Sequence, residues 1–320
     1  MLKLNIVTYN LLAPECASQS FYSFTKPEFL DITYRWNLIE KKIKTAINTN
    51  SIICLQEVSV TWLKYVNNLF QQNNYYTVAD LYGKSKNGYM GTLIAFPNKS
   101  YILNETHLVH IGNEIENNIQ VDNSLWSYLL SFIWAPDTND CWQNAQKKPN
   151  TLITLKLTDK VSHRSFYIST YHMPCEYKNP DIMSIHALTV LKTIEKLANN
   201  YPYILAGDFN FTPSSNIYEL ITGGDLSVSK IDPNKQQILF ETSPCKKMRS
   251  AYSVKGLEPT FTNRVKVFDS SEFTDCLDYI FLSDKWLVDF VMPLEEPTEF
   301  LPSNNQGSDH LMIGATIFIL

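Results

Sequence analysis

The sequence predicts an α/β protein built as one domain over residues 1–320. Three observations support this. Short apolar runs with strand character alternate with segments of helical periodicity over much of the chain, and strands dominate afterwards. Hydrophobic residues make up 44% and charged residues 18%, the balance of a folded chain long enough to bury its own core. No repeat, low-complexity tract or linker-like break divides it.

The elements follow in order. Leu4–Tyr9 reads as a strand ending at Asn10. Tyr34–Asn48 carries Leu38, Ile39, Ile43, Ala46 and Ile47 at helical spacing. Ser51–Leu55 is a buried strand that ends at Gln56-Glu57, and Trp62–Phe70 is a helix. Val78 and Met90–Phe96 bracket a turn at Asn87-Gly88. Thr151–Leu157 and Phe166–Tyr171 are strands. Asp181–Ala198 is an amphipathic helix with Ile182, Ile185, Leu188, Leu191, Ile194 and Leu197 on one face. Tyr203–Ala206, Cys276–Leu282 and Met312–Leu320 complete the strands. Asn113–Pro149 and Asp225–Pro244 lack periodicity and read as loops grafted onto the domain.

Charge and cysteine usage exclude several classes. The net charge of -5 argues against a protein that coats a long duplex, and favours contact with a few nucleotides at a strand end. The six cysteines form no C-x-x-C pair, so a zinc site is not expected. Cys54 and Cys276 lie in apolar runs and read as small buried hydrophobes. Reduced thiols and an intracellular, cytoplasmic location are expected. The chain starts directly into a strand, so no leader is expected, and no apolar run approaches the length of a membrane span.

Polar residues recur where apolar strands end. Glu57 follows Ile52–Gln56, His172 follows Phe166–Tyr171, and Asp208 and Asn210 follow Tyr203–Gly207. Asp278 interrupts Cys276–Leu282, and Asp309-His310 precedes the last strand. One such residue is a solvated turn. A whole set at successive strand ends converges in space and can line one pocket. Its hard oxygen ligands suit magnesium, with manganese as the substitute; one ion or two is open at this point. Phosphodiester hydrolysis needs such an ion, a group to orient or deprotonate water, and donors for the phosphoryl oxygens.

Val7-Thr8-Tyr9-Asn10, Leu55-Gln56-Glu57-Val58, Gly207-Asp208-Phe209-Asn210, Leu277-Asp278-Tyr279-Ile280 and Gly307-Ser308-Asp309-His310 resemble, in order, the motifs of the endonuclease/exonuclease/phosphatase (DNase I-like) superfamily. The resemblance implies a four-layered α/β sandwich, two packed mixed β-sheets flanked by helices. It also implies roles. Glu57 is the principal magnesium ligand with Asn10 beside it, and Asp309 helps with metal or water. Asp208 orients or deprotonates the attacking water, and Asn210 donates to the phosphate. Asp278 pairs with His310 and holds it protonated against the scissile phosphate. His172 matches a phosphate-contacting position.

Within the family, Asn10-Leu11-Leu12-Ala13, Asn87-Gly88, Pro259-Thr260-Phe261-Thr262-Asn263 and Leu301-Pro302 resemble the branch of poly(A) deadenylases and nocturnin. The resemblance implies a base pocket, with Asn87 on its wall. Phe261 would stack on a base, and the Asn263 amide would meet an adenine edge. The expected partner is therefore the 3′ end of single-stranded RNA. A DNA-repair endonuclease, a phosphatase of small nucleotides or dinucleotides, and a catalytically dead interaction domain are the alternatives. The leucine-rich repeats of larger deadenylases are absent, so docking by that route is not expected.

Two positions depart from the branch. Tyr171-His172-Met173-Pro174-Cys175 stands where the branch has Thr-His-Leu, and the next helix offers Met183 and His186 instead of Arg and Gln. His186 lies about one turn into the helix after the active-site loop, and facing substrate is the lesser reading for it. Trp126, Trp134 and Trp142 read as loop-pinning residues before base-stacking ones, and Lys147-Lys148 as a solvated pair. His107, His110 and His163 are assigned no role.

Overall fold

Period-two alternation builds two sheets from this chain. A computed structural model describes residues 1–118, 138–223, 246–268, 271–295 and 297–320. The first sheet has the order β13 (Leu287–Val291), β14 (Ile313–Ile319), β1 (Leu2–Asn10), β2 (Ile52–Val58), β4 (Gly91–Pro97) and β3 (Tyr75–Leu81). The second has the order β5 (Tyr101–His110), β6 (Thr151–Asp159), β7 (Ser165–His172), β8 (Tyr203–Asp208), β12 (Asp278–Leu282) and β9 (Arg249–Ser250). Each contains one parallel pair, β1–β2 and β7–β8, and its other pairs are antiparallel. A parallel pair needs a long crossover. Here the crossovers contain α1 (Ile32–Asn48) and α5 (Pro180–Ala198). A separate hairpin pairs β10 (Asn263–Val267) with β11 (Ser271–Asp275).

Alternating side chains define the layers. On β1, Leu4 and Ile6 join Ile52 and Cys54 of β2 in a core shared with Ile168, Ile204 and Ile280 of the opposite sheet. Val7 and Tyr9 point the other way, into the layer formed with α1 and with α2 (Val60–Gln72). Tyr203 and Leu205 of β8 likewise face α5. The result is the four-layered sandwich of two mixed sheets between helices. Capping fixes where two helices begin: the Asp31 carboxylate accepts from the amides of Thr33 and Tyr34, and Ser59 Oγ accepts from Trp62.

Several expectations change. The Asn113–Pro149 segment is not a plain loop, because α3 (Ile111–Asn118) occupies its start and α4 (Thr138–Gln146) its end. Ile115 and Ala145 pack on Ile182 and Ile185, too few apolar positions to show a helical period. This packing covers α5 on a second side, so α5 is buried on most of its surface and is not a one-faced helix. Trp142 packs against the same cluster, whereas Trp126 and Trp134 lie outside the described residues, as does Asp225–Pro244. Lys148 is paired with Glu176. Edge strands β5 and β13 and the hairpin were missed because their apolar residues are interleaved with polar ones, and no long buried run marks them.

His186 belongs to this packing. It is fully buried; Tyr171 Oη lies 2.7 Å from its Nδ1, and its Nε2 lies 2.9 Å from the Ala145 carbonyl. The carbonyl can only accept, so the proton sits on Nε2 and Tyr171 donates to Nδ1. Burial, foremost, lowers the pKa of His186 from 6.5 to about 4. Between those values the unfolded chain binds the proton more readily, so stability is complete above the unfolded pKa and falls as pH drops toward 4. The stability difference between wild type and His186→Asn, measured by urea unfolding, should therefore shrink by about 2 kcal/mol from pH 7 to pH 5. A difference that stays constant would contradict the buried neutral state.

Candidate active site

The apolar inner face turns polar at one end of both sheets. Following the same period, β1 runs Leu4, Ile6, Thr8, Asn10, and β2 runs Ile52, Cys54, Gln56. Opposite them, β7 runs Ile168, Thr170, His172, β8 runs Ile204, Ala206, Asp208, and β12 starts at Asp278 before Ile280. Thr8 Oγ1 donates to Gln56 Oε1 at 3.1 Å, and Gln56 Nε2 donates to Thr170 Oγ1 at 3.0 Å. These bonds form a polar floor between the sheets, beneath the site. Asp208 pairs in register with Asp278 and with His172, which sets three functional groups abreast. Only glycine fits before Asp208: a Cβ on Gly207 would stand 1.9 Å from the Tyr171 carbonyl oxygen.

Asp208 is the centre of the arrangement. Its Oδ2 accepts from Asn10 Nδ2 at 2.8 Å and lies 3.5 Å from His172 Nε2 and 3.6 Å from His310 Nε2. Its Oδ1 accepts from the Asn210 amide at 3.0 Å. Asn10 Nδ2 also reaches Glu57 Oε1 at 3.3 Å, while Glu57 Oε2 accepts from the Ala13 amide at 2.8 Å. His310 Nδ1 meets Asp278 Oδ2 at 2.8 Å. Glu57 and Asn210 have φ of 54° and 53°, the left-handed region, where non-glycine residues are uncommon and often functional.

Charge follows from this crowding. Burial works against a charged His310, but Asp278, Asp208 and Asp309 together outweigh it and hold its pKa well above the ordinary value. Burial pushes Asp278 up, and His310 pulls it back only in part, so it stays above the usual carboxylate value. Burial first, and then the Glu57 carboxylate, raise the Cys16 thiol to about 12.

Glu57, Asp208, Asp278 and Asp309 outnumber the two cations among them, His310 and Arg35. A divalent cation would offset that excess. Asp208, Asp278 and His310 place ligand-type atoms within 4.8 Å of one another and form a group that could hold a metal. A protonated His310, however, has no lone pair to give. The Glu57 carboxylate suits a hard cation better; Asn10 turns its Nδ2 toward that carboxylate, while its Oδ1 accepts from the Leu12 amide at 2.9 Å.

A model of the Endonuclease/Exonuclease/phosphatase family matches residues 23–310. The chain belongs to this family. Mouse 2′,5′-phosphodiesterase 12 is 26% identical over 97% of the chain, and the Ccr4 3′-5′-exoribonuclease subunit of the CCR4-Not complex of Saccharomyces cerevisiae is 25% identical over 96%. The chain spans 51% of the first relative's length and 37% of the second's. Among solved structures, ANGEL2, a 2′,3′-cyclic phosphatase, superposes with a TM-score of 0.74 at 18% identity, over 99% of this chain and 95% of that one. The human Nocturnin catalytic domain gives 0.68 at 17%, with the same coverage. The chain thus shares the DNase I-like fold of these structures, and its sequence relatives include a 2′,5′-phosphodiesterase and a 3′-5′-exoribonuclease subunit. No helix among the described residues is long and apolar enough to cross a membrane.

Within this family framework, the site unites Asn10, Glu57, His172, Asp208, Asn210, Asp278 and His310. Asp309 sits at its rim, with Oδ2 accepting from Tyr22 Oη at 2.8 Å and Asn263 Nδ2 at 3.4 Å. Three substrate-side expectations fare differently. Phe261 is 3% exposed and packed with Leu301 and Leu311, so no open ring face is available for a base. The Asn263 amide points at Asp309, which suits it to positioning that carboxylate rather than reading adenine. Asn87 turns its Oδ1 back to the Lys84 amide at 2.7 Å and caps its own turn.

Sequence reasoning missed the brace of the site. Arg35 is fully buried; its Nε donates to the Gly307 carbonyl at 2.7 Å, and its Nη2 donates to the carbonyls of Leu11 and Leu12. It thus joins the loop after β1 to the loop that carries Asp309 and His310. The signal was a lone arginine one turn before Ile39 on the apolar stripe of α1. Tyr22 gave no comparable signal. Arg35→Met would leave the buried carbonyls of Gly307 and Leu11 without their donor, at about 1–3 kcal/mol each before relaxation, while the Leu12 carbonyl keeps its bond from Trp62 Nε1 at 3.0 Å. Urea unfolding should show a loss of about 3 kcal/mol or more, and a loss under about 1 kcal/mol would contradict the bracing role.

Proposed function

We propose that the chain is a divalent-metal-dependent phosphodiesterase acting as a deadenylase-like 3′-exoribonuclease on single-stranded RNA. The observation that carries this is the convergence of Asn10, His172 and His310 on one oxygen of Asp208 within 3.6 Å, with Asp278 behind His310. Support for a phosphodiester substrate comes from the relative named 2′,5′-phosphodiesterase 12, and support for RNA from the one named 3′-5′-exoribonuclease.

Glu57, with Asn10 beside it, would hold magnesium or manganese, which when bound draws charge from the phosphoryl oxygens. Asp208, pinned by Asn10 and the Asn210 amide, accepts a proton from the attacking water. The water oxygen bonds to phosphorus, the P–O3′ bond breaks, and the released 3′-oxygen takes its proton from solvent. His310, kept charged and oriented by Asp278, donates to a phosphoryl oxygen as charge builds there. His172 flanks the same oxygen of Asp208 and offers a second imidazole to the phosphate. Asn210 keeps its side chain at this edge by donating to the Met173 carbonyl at 2.9 Å. Asn263 and Tyr22 hold Asp309 at the rim.

The test is a side-by-side assay with magnesium or with chelator. Substrates are 3′–5′ oligo(A), oligo(U), 2′–5′-linked oligo(A), abasic duplex DNA and a dinucleotide cofactor. Stepwise shortening of RNA from its 3′ end, lost in chelator and in Glu57→Ala, is the expected result. Cleavage of the duplex alone, of the dinucleotide alone, or full activity in chelator would overturn the reading.

A further inference from the structure

The loop that supplies Tyr22 also carries rings on its outer side. Phe21, Phe24 and Phe268 are 37%, 49% and 56% exposed. Phe21 meets Phe268 edge to face at 4.9 Å. Lys266 Nζ stands 4.5 Å from the centre of the Phe24 ring and 5.8 Å from that of Phe300, and the Arg264 guanidinium stands 5.5 Å from Phe300. Phe268 has a φ of 52°, a conformation that bulky residues rarely adopt. It is held there by its amide, which donates to the Phe21 carbonyl at 3.1 Å, and by its carbonyl, which accepts from Ser23 Oγ at 3.1 Å. The loop and the hairpin thus lock together with aromatic rings facing solvent and cations between them.

We propose that this surface is a ramp for single-stranded nucleic acid, which binds the strand upstream of the scissile phosphate. The proposal rests on the nucleic-acid reading of the site. Continuity with the catalytic groups supports it at two points: Tyr22 donates to Asp309, and Asn263, the first residue of β10, bridges to His310. From there β10 leads away for roughly 13 Å at about 3.3 Å per residue. Charge complementarity selects the occupant. Rings that accept any base and cations that accept phosphates, side by side, are what a single strand needs. An apolar protein face would bury Arg264 without an anion. Lys266 is paired at 3.0 Å with Glu272, so phosphate competes with that exposed carboxylate. This local chemistry also reconciles a nucleic-acid partner with a net charge of -5.

Binding of a fluorescein-labelled oligo(A) dodecamer to the full chain, followed by anisotropy in chelator, reads the surface without hydrolysis. Phe24→Ala/Phe268→Ala should weaken binding by about tenfold or more. Lys266→Glu, which leaves the rings in place, should weaken it by about threefold and flatten its salt dependence. With magnesium, the double variant should lose far more activity on the dodecamer than on a dinucleotide. Thermal melts of the variants verify folding, and Lys266→Glu keeps the test open if the double variant unfolds. Unchanged affinity in folded variants, or a wild type that hydrolyses a dinucleotide yet does not bind the dodecamer, would overturn the ramp. So would a wild-type dimer that the double variant converts to monomer, since the face would then join two copies. Absence of any RNA hydrolysis by a wild type that still binds would count against the proposed activity alone.

Discussion

The hydrogen bond from Asn10 Nδ2 to Asp208 Oδ2, 2.8 Å long, crosses from one sheet to the other, and the rest of the site is arranged around it. It exists because two independent strands, β1 and β8, each end their inward-facing series on a polar residue at the same level of the sandwich. A slip of one residue in either strand would send that series to the helix-covered side and break the site. The hydrophobic contact between the sheets therefore sets catalytic distances as well as stability. Ile6, Ile52, Ile204 and Ile280 hold the sheets together, and the polar pairs Thr8–Gln56 and Gln56–Thr170 continue the contact upward to the carboxylates.

So many buried acids would not tolerate one another unpaired. The chain meets this locally. Asp278 and His310 share one short contact, Asp208 accepts from two donors, and Asp309 accepts from Tyr22 and Asn263. Arg35 adds a buried positive charge and ties together the loops that follow β1 and precede β14. The left-handed backbone at Leu12, Glu57 and Asn210 falls in the loop after β1, at the irregularity near the end of β2 and just after β8, where the chain turns to aim a side chain or amide inward. Three of the four acids, Asp208, Asp278 and Asp309, hold the proton on His310. With the cation assigned to Glu57, as proposed above, the cluster divides into a cation-accepting part and a proton-holding part.

Much of this was legible in the sequence, for a physical reason. Buried strands are continuous apolar runs, and a polar residue that ends one stands out, as Asp208 does after Tyr203–Gly207 and His172 does after Phe166–Tyr171. Edge strands gave no such contrast: β5 mixes Ile102 and Leu108 with Asn104 and Glu105, and β13 is half exposed. Long-range braces were harder to read. Nothing within the local pattern around Tyr22 shows that its hydroxyl reaches Asp309, which lies 287 positions away. Phe261 illustrates the opposite error. Its neighbour Thr262 accepts from the Asp278 amide, but the Phe261 ring fills a pocket formed by Leu301 and Leu311, which sequence adjacency does not show.

The division into two parts is open to direct measurement by manganese titration, with the free ion followed by electron paramagnetic resonance. Wild type and His310→Gln should both bind manganese, and folded Glu57→Gln should lose it. Binding by Glu57→Gln equal to that of wild type, together with loss in His310→Gln, would move the cation onto Asp208, Asp278 and His310 and contradict the placement on the Glu57 side.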